Sequence, residues 1–591
     1  MSLVACGDAG EVRARDAGAA DAGIHRDGGA DATGFDDAAF WDTQGADDVA
    51  PGADVAPDAD AAPGDDVESD NSTVSLEVGP PPAPKPAVAA PSPLPPLPGQ
   101  PPAAGVVARI DDTPRPQQVR FAALDLAGTA LRAPGRRVDD ALRFGWGAGL
   151  ADFDGDGDVD VFVGGALGRE PACVLRNDST PGATLLTRVP GWCVDVPGDA
   201  MMATALVRDR DAAHQLLVTI DDRVFVATAT DSDAMTLDEV SVPRGRACVA
   251  SAALQYDIDL DGDADVLLGC QARSSSLGLR QAPVTLLLND DGVLRWSPFD
   301  GGAFVDPVNT LALAGLDVDD DGLPDIAHVV DTFSSPRARN LTFQPGELLR
   351  RCAPDERCAF EASAFFDDRT AWGSFMGAGW VVLADGGAGL YLADWGDNRL
   401  LDVASRADLA QARGVDLGTL PYHFSWGVIV DDFDGDGRDD LFVSRGAIAS
   451  DDSPETHTHV TLLQDARGQF QRFDSGPSAD ALLVSTGEGF ARGAVKVDLD
   501  LDGRLEIMVT SLQGGVSWLQ ETRDARRCTL RPQPRLVVTN GWGYSLRFTD
   551  GGPWHRRDVQ GQTAVGASPF VVSSERTGWL RFPSGAVVPF D

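Results

Sequence analysis

The stretch Ala151-Asp152-Phe153-Asp154-Gly155-Asp156-Gly157-Asp158-Val159-Asp160-Val161-Phe162-Val163 places a carboxylate at every second position as far as Asp160 and then turns apolar. It reads as a cation-binding turn that runs into a buried β-strand. With Asp152 as position one, Asp152, Asp154 and Asp156 at one, three and five can turn inward from a tight loop. Gly157 at six permits the reversal, Asp158 at seven offers its backbone carbonyl, and Asp160 at nine closes the cage. Calcium takes six to eight oxygens at about 2.3–2.6 Å, whereas magnesium prefers few protein ligands and keeps its waters, so calcium is the expected ion. Clustered carboxylates without a cation raise one another's pKa, so ion binding is expected to stabilise the fold.

The template recurs four more times, as Asp257, Asp259, Asp261, Gly262, Asp263 and Asp265; Asp317, Asp319, Asp321, Gly322, Leu323 and Asp325; Asp432, Asp434, Asp436, Gly437, Arg438 and Asp440; and Asp498, Asp500, Asp502, Gly503, Arg504 and Glu506. Position seven varies, as befits a residue that contributes only main-chain oxygen. An EF-hand needs flanking helices and a bidentate Glu at position twelve. That position holds Val163, Leu268, His328, Val443 or Val509, within short β-branched and apolar runs that read as strands. Tandem nonapeptide repeats are excluded because the loops stand far apart.

The loops begin at 152, 257, 317, 432 and 498, so two of the intervals are about twice the others. A degenerate copy is expected in each long interval. One is 207–218, which keeps Asp209 and Asp211, and the other is 381–392, which keeps Asp385 and Gly386. Both retain the strand and lose the cage. Seven units of roughly 50–66 residues result, each long enough for about four short strands. The expected fold is all-β: a seven-bladed β-propeller with about five calcium loops over 106–527.

The run Gly145-Trp146-Gly147-Ala148-Gly149-Leu150 before the first loop, and Trp426-Gly427-Val428-Ile429-Val430-Asp431 before the fourth, resemble FG-GAP/VCBS repeats. Such repeats build the β-propeller heads of integrin α chains and of many bacterial surface proteins. The resemblance covers about 120–520 and departs from the pattern at the second and fifth units. It implies that each calcium loop lies between strands on the underside of a blade and staples it. Residues 528–591, with Phe582-Pro583-Ser584-Gly585 near the end, are similar to the ASPIC/UnbV module of CRTAC-like proteins. The alternative is that these strands close the last blade.

At the other end, Leu3-Val4-Ala5-Cys6 fits a bacterial lipobox with Cys6 as lipid anchor, making 1–6 the remnant of a signal. Only five residues precede Cys6, fewer than the roughly 7–15 apolar residues of a signal peptide. Residues 7–105 are Ala/Asp/Gly-rich and then Pro/Ala-rich, with too few large apolar groups to offset chain entropy. They are expected to form a disordered tether. A formal charge of -43 argues against nucleic acid and anionic membrane surfaces as partners, leaving membrane contact only through a lipid on Cys6. Among eight cysteines there is no CxxC; Cys173/Cys193, Cys248/Cys270 and Cys352/Cys358 are near enough in sequence for local disulfides, though sequence does not fix the pairing. The expected location is extracytoplasmic, lipid-anchored to the bacterial envelope or cell surface.

No GxSxG, Walker A or HExxH motif occurs. The regularly spaced aspartates are already used as ion ligands, which leaves a paired-carboxylate glycosidase site without support. His457 and His459 are expected to be solvated, and Trp146, Trp372 and Trp426 to serve packing near the axis. No catalytic residue emerges. The functional expectation is a monomeric, non-catalytic propeller that binds a protein or glycan. The alternatives are a calcium-dependent, polysaccharide-acting enzyme with a site in the channel, or an envelope spacer.

Overall fold

The computed structural model describes 121–124, most of 147–297, 310–316, 325–330, 341–344, most of 375–408, 424–446, 459–472, 491–511 and 516–521, and short strands between 528 and 590. Cys6, the 7–105 segment, Trp146 and Trp372 lie outside the described residues. Among the described residues every regular element is a strand, and the fold is all-β.

Each repeat folds into antiparallel strands laid side by side in chain order. The first sheet runs Ala148–Ala151, Asp160–Val163, Cys173–Asn177 and Leu186–Cys193. The next three begin with Ala200–Leu206, Val249–Tyr256 and Thr310–Leu316. The last three begin with Gly377–Val382, Ser425–Asp431 and Ala491–Val497. First strands are buried along their length, as in Ser425–Asp431, whereas the fourth strand Leu186–Cys193 alternates buried and exposed residues. The fourth strands Ala234–Val240 and Val293–Ser297 likewise carry exposed residues, so the first three sheets meet solvent at that edge.

Apolar clusters join the sheets in succession. Phe153 and Trp192 pack with Ala203 and Val218 of the second sheet, and Leu217 and Val224 with Val266 and Leu268 of the third. Ser251 of the third donates to the carbonyl of Thr310 in the fourth. Val329 meets Trp380, Tyr391 meets Val443, and Phe442 meets Ile507. The succession then returns to its start, because Met508 and Trp518 pack with Leu150 and Val161 of the first sheet. This cyclic stacking of four-stranded sheets is propeller-like.

The sheet that starts at Ala491 takes its fourth strand from far upstream. Phe121–Leu124 pairs antiparallel with Val516–Glu521, Leu124 facing Trp518. The C-terminal strands form a sheet of their own, ordered His555–Arg557, Tyr544–Arg547, Gly578–Arg581 and Val587–Phe590. Cys173 and Cys193 face each other across the first sheet and are disulfide-bonded, with Cα atoms 4.0 Å apart. Cys270 is also disulfide-bonded, while Cys248, Cys352 and Cys358 fall outside the described residues.

First strands crowd one another where the sheets converge. A Cβ on Gly149 would lie 2.6 Å from the carbonyl oxygen of Ala203, and one on Gly379 would lie 2.7 Å from Val428 Cγ1. A Cβ on Gly377 would run into the carbonyl of Trp426. Overpacking of this kind costs about 1–3 kcal/mol. Gly377→Ala is accordingly expected to lower the urea midpoint; an unchanged midpoint would show that these strands do not meet.

Candidate metal centres

In all five intact repeats the first strand ends immediately before position one, at Ala151, Tyr256, Leu316, Asp431 and Val497. The second strand begins at position nine, at Asp160, Asp265, Asp325, Asp440 and Glu506. The loops at 257–264 and 317–324, with Asp257, Asp259, Asp261, Asp263, Asp317, Asp319, Asp321 and Leu323, lie outside the described residues. The other three can be compared atom by atom.

Each of the three brings positions one, three and nine together. Ligand oxygens of Asp152, Asp154 and Asp160 lie within 4.8 Å of one another, as do those of Asp432, Asp434 and Asp440, and those of Asp498, Asp500 and Glu506. These acidic clusters have the composition for a metal ion: hard carboxylate oxygens suit calcium or another hard cation. Asp158 adds a buried Oδ1 that accepts no hydrogen bond.

One wiring recurs in all three. The position-nine carboxylate accepts the N–H of the residue after position one: Phe153 to Asp160 at 2.8 Å, Phe433 to Asp440 at 2.9 Å, Leu499 to Glu506 at 2.8 Å. Position one accepts the N–H of the position-six glycine, from Gly157, Gly437 and Gly503, at 3.0–3.2 Å. Position three accepts from position five, at 3.1–3.2 Å. Position five accepts from position seven, at 2.8–3.0 Å. The loop thus shapes itself around inward carboxylates.

Position five behaves differently from the other acids. Asp156, Asp436 and Asp502 stand outside the three-carboxylate groups. Arg438 and Arg504 at position seven fold back to pair with Asp436 and Asp502. Position four is left-handed as well as position six, with φ of 78° at Gly155, 76° at Gly435 and 55° at Leu501. Leu501 adopts there a conformation that costs an L-residue roughly 1–2 kcal/mol.

Burial dominates the electrostatics. It pushes Asp160 up to about 8, helped by Asp154 and Asp158 and opposed by the N–H groups of Asn177 and Phe153. It raises Glu506 to about 8 against the hydrogen bonds of Leu499 and Gln520. Asp158 and Asp434 rise to about 7, by burial and then by neighbouring carboxylates. Asp440 is held well above the usual range by burial and by Asp434 and Asp432. A cation reverses the sign of this repulsion.

Sequence reading missed a set of amides on the third strand. The N–H of Asn177, Asn289 and Gln464 donates to position nine, on Asp160, Asp265 and Asp440, at 2.8–2.9 Å. In the last sheet the side chain of Gln520 donates to Glu506 at 2.9 Å. The recurring Asn-Asp, Gln-Asp and Gln-Glu pairs (Asn177-Asp178, Asn289-Asp290, Gln464-Asp465, Gln520-Glu521) were the available signal. These side chains also cross between sheets, Asn177 to the carbonyl of Leu499 and Gln464 to that of Val382.

The other residues singled out by sequence fall as follows. Residues 207–214 and Asp385 are outside the described residues; around Gly386, at φ 84°, a tight turn joins Gly377–Val382 to Ala388–Ala393. His459 is buried, not solvated: its Nδ1 accepts the N–H of Arg445, and burial, with Arg445, lowers it to about 4. Trp426 is a packing residue, donating to the carbonyl of Gly446 beneath the guanidinium of Arg492, 4.0 Å from its ring.

No protein-family model matches the chain, and no curated relative matches it. Among solved structures it is similar to Saccharomyces cerevisiae Sqt1, at 11% identity over 66% of this chain and 97% of that one, with a TM-score of 0.32. It is similar to an Agrocybe aegerita lectin described as specifically recognising non-reducing terminal N-acetylglucosamine, at 15% identity over 64% of this chain and 93% of that one, with a TM-score of 0.35. It is also similar to a Bacillus licheniformis rhamnogalacturonan lyase, at 12% identity over 68% and 75%, with a TM-score of 0.32.

Two outcomes are expected. Raised carboxylate pKa values mean that the folded metal-free chain holds protons the unfolded chain has released. That stabilisation is complete below pH 4 and is lost as pH rises through 7 to 8. The melting temperature of metal-stripped protein should therefore fall between pH 5 and 8; a flat profile would contradict the buried, clustered acids. Separately, Leu501→Gly should raise stability by about 1 kcal/mol by relieving the left-handed residue, read as a higher urea midpoint.

Proposed function

We propose that residues 106–527 form a seven-bladed, calcium-stapled β-propeller of the FG-GAP/VCBS kind, with 528–591 as an ASPIC/UnbV-like C-terminal β module. In this reading the chain is a non-catalytic, monomeric binding head for a protein or glycan outside the cytoplasm. The observation that supports it best is the threefold recurrence of one loop wiring at one place in the sheet. A catalytic site is built once; an architectural staple is built in every repeat that needs it. Five ions are proposed, because the loops at 257 and 317 share the strand boundaries of the three described ones.

The staple also reaches across sheets. Thr184 of the first sheet donates to Asp500, and Asn177 to the carbonyl beside it, so the loop at 498–506 lies at the joint where the ring closes. The Cys173–Cys193 disulfide suits an oxidising compartment. Leu3-Val4-Ala5-Cys6 followed by a low-complexity stretch suits a lipid-anchored tether.

Metal analysis of dialysed protein is expected to find about five calcium ions per chain. Each site adds about 2.7 kcal/mol at a hundredfold excess of ion over its Kd, so chelation should lower the melting temperature clearly; an unchanged melt in chelator overturns the calcium reading. Asp160→Asn should remove about one ion and Asp385→Asn none; equal effects would refute the division between intact and degenerate loops. A glycan array and pull-down with residues 106–591 test the binding role. Release of shortened oligosaccharides would replace it with the enzymatic reading.

A further inference from the structure

We propose that the strands His555–Arg557 and Gln560–Gly561 act as an intramolecular strap across the axial channel, so that the chain's own C-terminal module closes the channel to a partner. This rests on the ring of sheets proposed above. The first strands succeed one another in space: Ala148–Ala151 lies against Ala200–Leu206, Val249–Tyr256 against Thr310–Leu316, and Ser425–Asp431 against Ala491–Val497. Their free edges therefore face the axis. Thr310–Leu316 carries Asp325–Val330 on its outer edge. On its axial edge it carries Gln560–Gly561, with Gly561 opposite Leu313 and Gln560 opposite Ala314.

The strap spans three sheets. Gln560–Gly561 also lies against Val249–Tyr256, and His555–Arg557 lies against Gly377–Val382. These are the first strands on either side of Thr310–Leu316. His555–Arg557 is at the same time an edge strand of the C-terminal sheet, paired with Tyr544–Arg547. The connection holds this edge of the C-terminal sheet against the first strands of the ring.

Two physical arguments favour closure. An unpaired inner edge leaves backbone N–H and C=O groups without partners in a confined space, and the strap supplies them. Charge acts in the same direction. Residues 528–591 hold seven arginines and four acids, a net +3, in a chain whose total is -43. The basic module is drawn to the acidic ring. A partner that needs the channel must displace the strap, while a partner on the outer rims need not.

Hydrogen–deuterium exchange on the full chain tests this. Gln560→Pro with Gly561→Pro removes both strap N–H groups, and exchange in peptides covering 310–316 should rise about tenfold, with 121–124 unchanged. Unchanged exchange at 310–316 overturns the strap. Fast exchange at 121–124 in the unaltered chain would instead overturn the ring closure. As a second measurement, Ala314→Cys with Gln560→Cys should form an intrachain disulfide, detected by peptide mapping; failure to form it under oxidising conditions counts against the strap.

Discussion

A carboxylate buried at the start of a strand, with two more within reach, is the constraint on which this structure turns. Asp160, Asp440 and Glu506 each hold the entrance of the loop through a backbone N–H and the third strand through another N–H or an amide. Those donors favour the ionised form. Burial and neighbouring acids oppose it and win, since the groups stay above the ordinary carboxylate range. The loop is therefore shaped for charge that it cannot hold unaided. A proton relieves the conflict by weakening the very acceptor that ties loop to strand; a cation relieves it and leaves both hydrogen bonds charge-assisted. On the calcium reading, metal and strand pairing stabilise each other through one side chain.

The same economy extends to the ring. Asn177 and Gln464 serve position nine with their backbone and the neighbouring sheet with their side chain. Loop geometry and sheet-to-sheet contact are thus coupled residue by residue. The joint between last and first sheets is the most demanding, because Phe121–Leu124 must find Val516–Glu521 across nearly four hundred residues. Loop-closure entropy makes such a contact late and slow. Three independent ties meet there: the strand pairing, the apolar cluster of Leu150, Met508 and Trp518, and the polar contacts to Leu499 and Asp500.

What could be read from sequence follows from what has fixed spacing. The acidic residues and the strand starting at position nine sit at constant offsets, so the second strands of five repeats and the acidic groupings of the three described loops were legible, as was the local pair Cys173 and Cys193. Features that depend on distant chain were not. The partner amides lie at variable distances, Asn177 seventeen residues from Asp160 and Gln464 twenty-four from Asp440. The closing strand has no motif at all. Side-chain competition was equally hidden, since nothing in an Asp-x-Arg spacing announces that Arg438 or Arg504 will engage position five. His459 misled for a different reason: its polar surroundings in sequence are solvent-facing in character, yet Val460–Gln464 begins beside it and draws it into the core.

The acidic surplus has a consequence for how metal and strap act together. Five dications at the proposed sites would bring the formal charge from -43 to -33. They would do so at the sheet loops, within the ring and not along the N-terminal acidic stretch. The field that draws the +3 module toward the ring is thereby reduced, and salt screens what is left beyond about 10 Å. On the calcium reading, the ions would stiffen the frame that presents the inner edge of Thr310–Leu316 and at the same time weaken the long-range attraction that brings the strap to it. Backbone pairing at Leu313 and Ala314 is insensitive to either effect. Closure of the channel should then be held mainly by edge pairing once calcium is bound, and by charge as well when it is not. On the proposed reading the metal-loaded state is the one in which a partner can most easily compete with the strap.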